Sequence, residues 1–171
     1  LPEAIGRFVA SLMKFDVDQH PGAPRILFVG LAESSHTHAW IRLLEGSRFN
    51  VRLFALPTGI PPEDFAFRTY VTHPGFGARG PLRMPLFPLA WLSSRLVARM
   101  PVALPALRRL QAARRRQWTV AWLARVVRKW RPHVVHTIGL DPASYLYAEA
   151  RERHGLEGLG RWVQQVWGGS N

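Results

Sequence analysis

The stretch from Arg25 to Leu56 constrains the fold more than any other part of the chain. Arg25-Ile26-Leu27-Phe28-Val29-Gly30 is a short β-rich apolar run ended by glycine, the pattern of a strand buried on both faces. A small-residue loop, Leu31 to Ser35, follows. A helix is then predicted, with Ser34 or Ser35 as N-cap and an apolar face through Trp40, Leu43 and Leu44, ended by Gly46 and Ser47. Asn50-Val51-Arg52-Leu53-Phe54-Ala55-Leu56 reads as a second strand, stopped by Pro57-Thr58-Gly59. Strand, helix and strand fit within the length of one right-handed βαβ unit.

The same alternation returns later. Leu107, Leu110, Ala113, Val120, Leu123, Val127 and Trp130 recur at helical spacing, apart from one gap at Arg116-Gln117, and predict a helix over 104–130 that Arg131-Pro132 stops. His133 to Ile138 reads as a third strand. Asp141-Pro142 then predicts a helix with Asp as N-cap and Pro at its first position, ended by Gly155. Trp162 to Trp167 reads as a last, buried strand. Residues 57–90 are rich in Pro and Gly and read as an irregular excursion with one short strand, Ala66 to Val71. Strands alternating with helices predict an α/β fold: a Rossmann-like parallel sheet with helices on both faces. Residues 1–24 read as an N-terminal extension of unclear role and 25–171 as the domain. The start at Leu1 and the stop after an apolar run predict a fragment of a longer protein.

Charge separates one segment from the rest. The chain has 23 Lys+Arg against 11 Asp+Glu and a formal net charge of +12. Thirteen of the basic residues lie between Arg79 and Arg131, where there is no Asp or Glu; the remainder is close to neutral. This localised excess argues against a uniformly basic nucleic-acid protein. Arg108, Arg109, Arg114, Arg115 and Arg116 are its densest clusters, with Trp118 and Trp122 nearby. A helix with arginines on one side and Trp and aliphatics on the other suits an anionic lipid surface. Nucleic-acid phosphates are a weaker fit, since no nucleic-acid motif is present, and simple core packing with an arginine-rich outer face is the plain alternative. The longest strongly apolar stretch, Met84 to Leu92, is too short to span a bilayer and holds two prolines.

Several chemistries are excluded. The absence of cysteine removes disulfides, thiolate catalysis, thiolate zinc sites and iron–sulfur clusters. The loop Gly30 to His38 matches neither G-x-G-x-x-G nor a P-loop. His133 and His136 have no third metal ligand at recognisable spacing, so no metal is expected. Paired catalytic carboxylates and a G-x-S-x-G elbow are absent. Three loops fall where open parallel sheets bind ligands, beyond the carboxyl ends of strands: Gly30 to His38, Ile138 to Asp141, and Gly168 to Asn171. In the first, a helix N-terminus offers backbone N–H groups to a phosphate or sugar hydroxyl, and His36 adds a group that titrates near neutrality. The plain alternative is that Ser35 caps the helix and His36 is solvated.

Taken in order, these segments resemble the N-terminal domain of GT-B-fold glycosyltransferases of family 4. Arg25 to Gly30 followed by Ser34-Ser35-His36-Thr37-His38-Ala39-Trp40 resembles that family's first strand and its SSH-T-x-x-W-like loop. Trp130-Arg131-Pro132-His133-Val134-Val135-His136 resembles its kPDvvHxH strand, with His133 in place of Asp and Ile138 in place of the second His. Val166-Trp167-Gly168-Gly169-Ser170-Asn171 resembles its wGSD loop, with Asn171 in place of Asp. The resemblance covers residues 25–171. It implies the acceptor-side domain of a retaining, metal-independent transferase that moves a sugar from a nucleotide-sugar donor to a glycan or lipid-linked acceptor. The donor is a co-substrate, bound mainly by a C-terminal domain whose E-x7-E motif has no match here, so this segment alone is expected to be inactive. The resemblance further implies that Gly30, Ser34, Ser35 and His36 face the interdomain cleft and that Ser170 and Asn171 line it. His136 is implied as catalytic, at the end of its strand near the acceptor. A cytoplasmic protein, peripheral on the inner face of the membrane through Arg108, Arg109, Arg114, Arg115, Arg116 and Trp118, is expected, with no nucleic-acid partner. The competing expectation is a non-catalytic membrane- or partner-binding α/β module of a split transferase.

Overall fold

Six parallel strands form the centre of the molecule, in the order β4-β3-β2-β1-β5-β6. They are β1 (Arg25–Gly30), β2 (Asn50–Ala55), β3 (Arg68–Val71), β4 (Arg83–Pro85), β5 (Val134–Ile138) and β6 (Arg161–Gln165). Among the described residues, three α-helices accompany them: α1 (Ser35–Arg42), α2 (Leu104–Trp130) and α3 (Tyr145–His154). This computed structural model describes residues 17–56, 62, 65, 67–71, 83–85 and 104–165.

The alternating side chains of the strands divide the core in two. On one face Leu27, Val29, Phe54, Leu56, Tyr70 and Val135 pack against Val120, Leu123, Val127 and Trp130 of α2 and Leu146, Tyr147 and Ala150 of α3. On the other, Phe28, Val51, Leu53, Ala55 and Ile138 meet Ala32, Ile41 and Phe65. Every residue of β2 is buried, the polar Asn50 and the charged Arg52 included, because the strand is covered on both faces. Helices on both faces of a parallel sheet make this a Rossmann-like α/β fold, as the alternation of elements predicts.

Four local expectations are corrected. Helix α1 buries Thr37 and Ile41, while Trp40 is 38% and Leu43 73% exposed. With only eight residues, this helix turns one narrow stripe to the sheet, and Leu44 just beyond it is partly buried against the same cluster. The segment after β5 opens with a π-helical turn, Leu140–Ser144, whose N-cap is Gly139; Asp141 lies inside that turn. Pro142 contributes no N–H to close a tighter one. Strand β6 is a half-exposed sheet edge, with Val163 43% exposed, because no helix covers that side among the described residues. Finally, Arg83–Pro85 adds a strand within the Pro- and Gly-rich region; its three residues are too few to show a period, and Pro85 is tolerated at a sheet edge.

Residues 17–24 are tied to the amino edge of the sheet. The buried Asn50 side chain accepts from the His20 N–H at 2.9 Å and donates to the His20 and Ala23 carbonyls at 2.7 and 3.2 Å. Asp18 accepts from Trp130 Nε1 at 2.8 Å and from Arg25 Nε at 2.7 Å, and lies 3.5 Å from the guanidinium of Arg52. Arg52 is only 2% exposed; it stacks 4.3 Å over the Trp130 ring and donates to Tyr70 Oη at 2.7 Å. Residues 17–24, the described part of the predicted extension 1–24, therefore complete a buried polar cluster, while 1–16 lie outside the described residues. Burial pushes the Asp18 carboxyl up, but the Trp130 indole, the Arg25 hydrogen bond and charge, and Arg52 outweigh it and hold the group below its ordinary value.

The link between α3 and β6 is sterically tight. Gly160 has φ +87°, and a Cβ there would meet the Pro132 carbonyl oxygen at 2.6 Å. We expect Gly160→Ala to cost about 1–3 kcal/mol, read as a lowered urea midpoint. Because the folded Asp18 is the stronger acid, its contribution is complete above the unfolded value of about 3.9 and is lost as pH falls through the lower folded value. Asp18→Asn should flatten that acid limb and cost about 2–3 kcal/mol at pH 7, since it leaves the Arg52 charge without its carboxylate. Urea titrations from neutral to strongly acid pH check both.

Candidate functional site

The strand order reverses between β1 and β5. From β1 the chain leaves for α1 on one face, and from β5 it leaves for α3 on the other, so a crevice opens between the two departing loops at the carboxyl edge. Gly30 closes its floor. A Cβ at Gly30 would stand 3.2 Å from Thr37 Oγ1 and 3.5 Å from Ile138 Cβ, so both α1 and β5 close on this position. The Gly30 carbonyl accepts from the Leu56 N–H at 2.9 Å, which ties the loop's start to the end of β2.

On the α1 side, the Ser34 N–H donates to the Leu31 carbonyl at 3.2 Å, and the His38 N–H donates to the Ser34 carbonyl at 3.1 Å. Ser34 occupies the N-cap in extended conformation, φ −75° and ψ 125°, but its hydroxyl makes no capping bond. Helices leave their first-turn N–H groups without intrahelical acceptors, and the partial positive charge of α1 is set at the crevice. Ser35 and His36 are exposed there and Ser34 is half-buried. His38 was not singled out by sequence, yet it holds the loop: a ring nitrogen lies 2.6 Å from the Ala32 carbonyl, and the ring stacks on Phe65 at 4.9 Å. Its position one helical turn beyond Ser34 is the only signal the sequence offers.

The β5 side is built by a relay of hydroxyls. Trp162 Nε1 donates to Thr137 Oγ1 at 3.0 Å, Thr137 Oγ1 lies 2.9 Å from Ser144 Oγ, and Ser144 Oγ donates to the Gly139 carbonyl at 2.8 Å. With the Ser144 proton committed to Gly139, Thr137 is the donor to Ser144. This relay fixes Gly139 at φ 88°, the point where the chain turns away from the sheet.

His136 sits elsewhere than expected. It is the third of five residues in β5, in register with Phe28, so it lies short of the strand's end. Its half-buried ring stacks on Phe28 at 5.0 Å, and the Trp40 ring lies 6.2 Å away. His133 is at the amino edge, where Nδ1 accepts from the Arg25 N–H at 3.0 Å. The two histidines are thus apart, and among the described residues no group of three or more His, Cys, Asp or Glu converges. Gly30, Ser34, Ser35 and His36 do come together at the crevice, whereas Ser170 and Asn171 lie outside the described residues.

On α2, Arg115, Arg116 and Trp118 are exposed, but Arg116 is engaged by Glu149 of α3 at 2.7 Å. Arg108, Arg109 and Arg114 have helical positions on α2, with side chains outside the described set. No described helix is long and apolar enough to cross a membrane. No protein family, curated protein or solved structure matches the chain.

Burial holds the pKa of His136 below the ordinary imidazole value, and the Gln165 side chain opposes that shift; Gln165 Oε1 is buried beside it without a well-formed hydrogen bond. The folded ring therefore takes a proton less readily than the unfolded one. Its stabilising contribution is complete above about pH 6.5 and is lost as pH falls through the lower folded value. We expect His136→Phe, which keeps the stack on Phe28, to remove the loss of thermal stability on going from pH 7 to 5. Melting curves over that range check the effect.

Proposed function

We propose that this chain is the acceptor-side domain of a retaining glycosyltransferase of the GT-B type. The observation that carries the reading is the crevice at the strand-order reversal, with the Ser34–Trp40 segment placed by α1 at its mouth. The order of the segments that resemble glycosyltransferase family 4 supports it. A nucleotide sugar is the donor, held mainly by a second domain, and a glycan or lipid-linked sugar is the acceptor. In the transfer, the bond from the sugar's anomeric carbon to the nucleotide diphosphate breaks. A bond from that carbon to an acceptor hydroxyl forms with retained configuration, and the hydroxyl proton leaves with the diphosphate.

In this reading the amides of Ser35, His36 and Thr37 and the His36 ring engage acceptor hydroxyls or phosphate, and Gly30 lets the ligand and α1 approach the end of β1. His136 acts as a positioning residue beneath Trp40, since its ring is stacked within the sheet face short of the mouth. The test is an isotope-edited NMR titration of the chain with a panel of nucleotide sugars, oligosaccharides and short-chain prenyl-diphosphate sugars. The expected result is acceptor-induced shifts at Gly30, Ser35, His36, Thr37 and Gly139. His36→Ala should weaken that binding about fivefold to tenfold, the loss of one hydrogen bond. Shifts confined to other surfaces, or none with any of the panel, overturn the reading.

A further inference from the structure

We propose that the outer edge of β6 is a docking site for a second copy of this chain, joined strand to strand about a two-fold axis. The backbone shows which groups face outward. The Arg161 N–H donates to the His133 carbonyl at the start of β5 at 2.8 Å. Main-chain groups alternate sides along a strand, so Arg161, Val163 and Gln165 bond toward β5, whereas Trp162 and Gln164 turn their N–H and C=O groups outward. No strand pairs with that side among the described residues.

The two edges of the sheet are built differently. At one, β4 is three residues long and ends in Pro85, and both features discourage pairing with another chain. At the other, β6 continues from Arg161 as Trp162-Val163-Gln164-Gln165, with no Lys, Pro, Asp or Glu to blunt it. Side-chain contacts also hold β6 in place. The Trp162 ring meets Tyr147 edge-on at 5.4 Å, lies 5.3 Å from the Arg151 guanidinium, and donates from Nε1 to Thr137. An edge fixed in advance loses little conformational freedom when a strand is added to it.

The strand that fits this edge is β6 itself. Antiparallel pairing centred on Val163 sets Trp162 of each copy opposite Gln164 of the other. These are the residues with outward groups, so both become hydrogen-bonded pairs, each exchanging two main-chain bonds. Val163 stands opposite its own twin in the closer, non-hydrogen-bonded pair, on the face that carries His136. Arg161 falls opposite Gln165, which keeps the two Arg161 side chains on positions about 13 Å apart along the strands. Charge permits the contact despite the net +12 of each chain. Residues 145–165, which build α3 and β6, carry three arginines and three glutamates. Helix α3 also stands between β6 and the basic α2, pairing Glu149 with Arg116 on one side and covering Trp162 with Arg151 on the other. The resulting sheet runs continuously through both copies, and their crevices open at opposite ends. None of this depends on the sugar-transfer reading.

Sedimentation equilibrium of the whole chain tests the pairing. A reversible monomer–dimer equilibrium is expected, with a Kd on the order of 10–100 µM, the strength of a small interface. Raising NaCl from about 0.1 to about 0.5 M should tighten it, because salt screens the repulsion between two cationic chains. Val163→Lys places two ammonium groups opposite each other at the axis and should raise the Kd about tenfold or more. Leu43→Lys, on the exposed side of α1, should leave it unchanged. Amide hydrogen exchange reads the register: the Trp162 and Gln164 N–H groups should be protected above the Kd and exchange freely below it, while those of Val163 and Gln165 stay protected in both. Circular dichroism melting checks that Val163→Lys folds; if it does not, the exchange pattern of the unaltered chain decides. A chain that stays monomeric up to about 500 µM overturns the proposal. So does equal weakening by Leu43→Lys, which would assign association to the surface of α1. Protection of the Trp162 and Gln164 amides in the dilute monomer also overturns it, since the edge would then be covered from within the chain.

Discussion

The buried guanidinium of Arg52 is the constraint around which the amino edge of the sheet is organised. A charge this deep is tolerated only when its hydrogen bonds and its counter-charge are supplied together. Tyr70 supplies a hydroxyl, Trp130 a π face, and Asp18 a carboxylate that Trp130 and Arg25 hold in place. These groups come from β2, β3, the end of α2, the start of β1 and the segment before it. One desolvated cation thereby ties the first described residues to both halves of the sheet.

The opposite edge is built on different terms. There the polar groups are backbone amides and hydroxyls at the ends of strands, and the close contacts are made by removing side chains rather than pairing charges. Gly30 admits Thr37 and Ile138, and Ser144 holds the Gly139 turn. The stabilising ionic cluster and the candidate site thus lie at opposite ends of the same strands. Substitutions at the crevice can alter binding without disturbing the Arg52 cluster.

The strands β1, β2 and β5 and the helix over 104–130 were legible because each carries a run long enough to show a burial period. So was the cluster of Gly30, Ser34, Ser35 and His36, which a strand followed by a capped helix places at a carboxyl end. Helix α1 was legible as a helix but not in its orientation. The predicted face runs through Trp40, Leu43 and Leu44, yet the stripe that meets the sheet is Thr37 and Ile41, with Leu44 partly buried against it. His136 was legible as a strand residue and misjudged in place, because its distance from the strand's end depends on where the ladder with β1 and β6 stops. Strand β4 and the π-helical turn have no period to read.

By itself, the sequence determined which segments are strands and helices, that the sheet is parallel, and that the positive charge gathers on one stretch. Those properties follow from spacing along the chain, which periodicity and loop length report directly. Only the tertiary structure decided the strand order, and with it the crevice between β1 and β5. It alone decided which arginines of α2 face outward and which one is spent on Glu149. It also brought Asp18 to Trp130, 112 positions away. The reason is that such contacts depend on how layers stack across the core, and no local pattern encodes which distant side chain will stand opposite a buried charge.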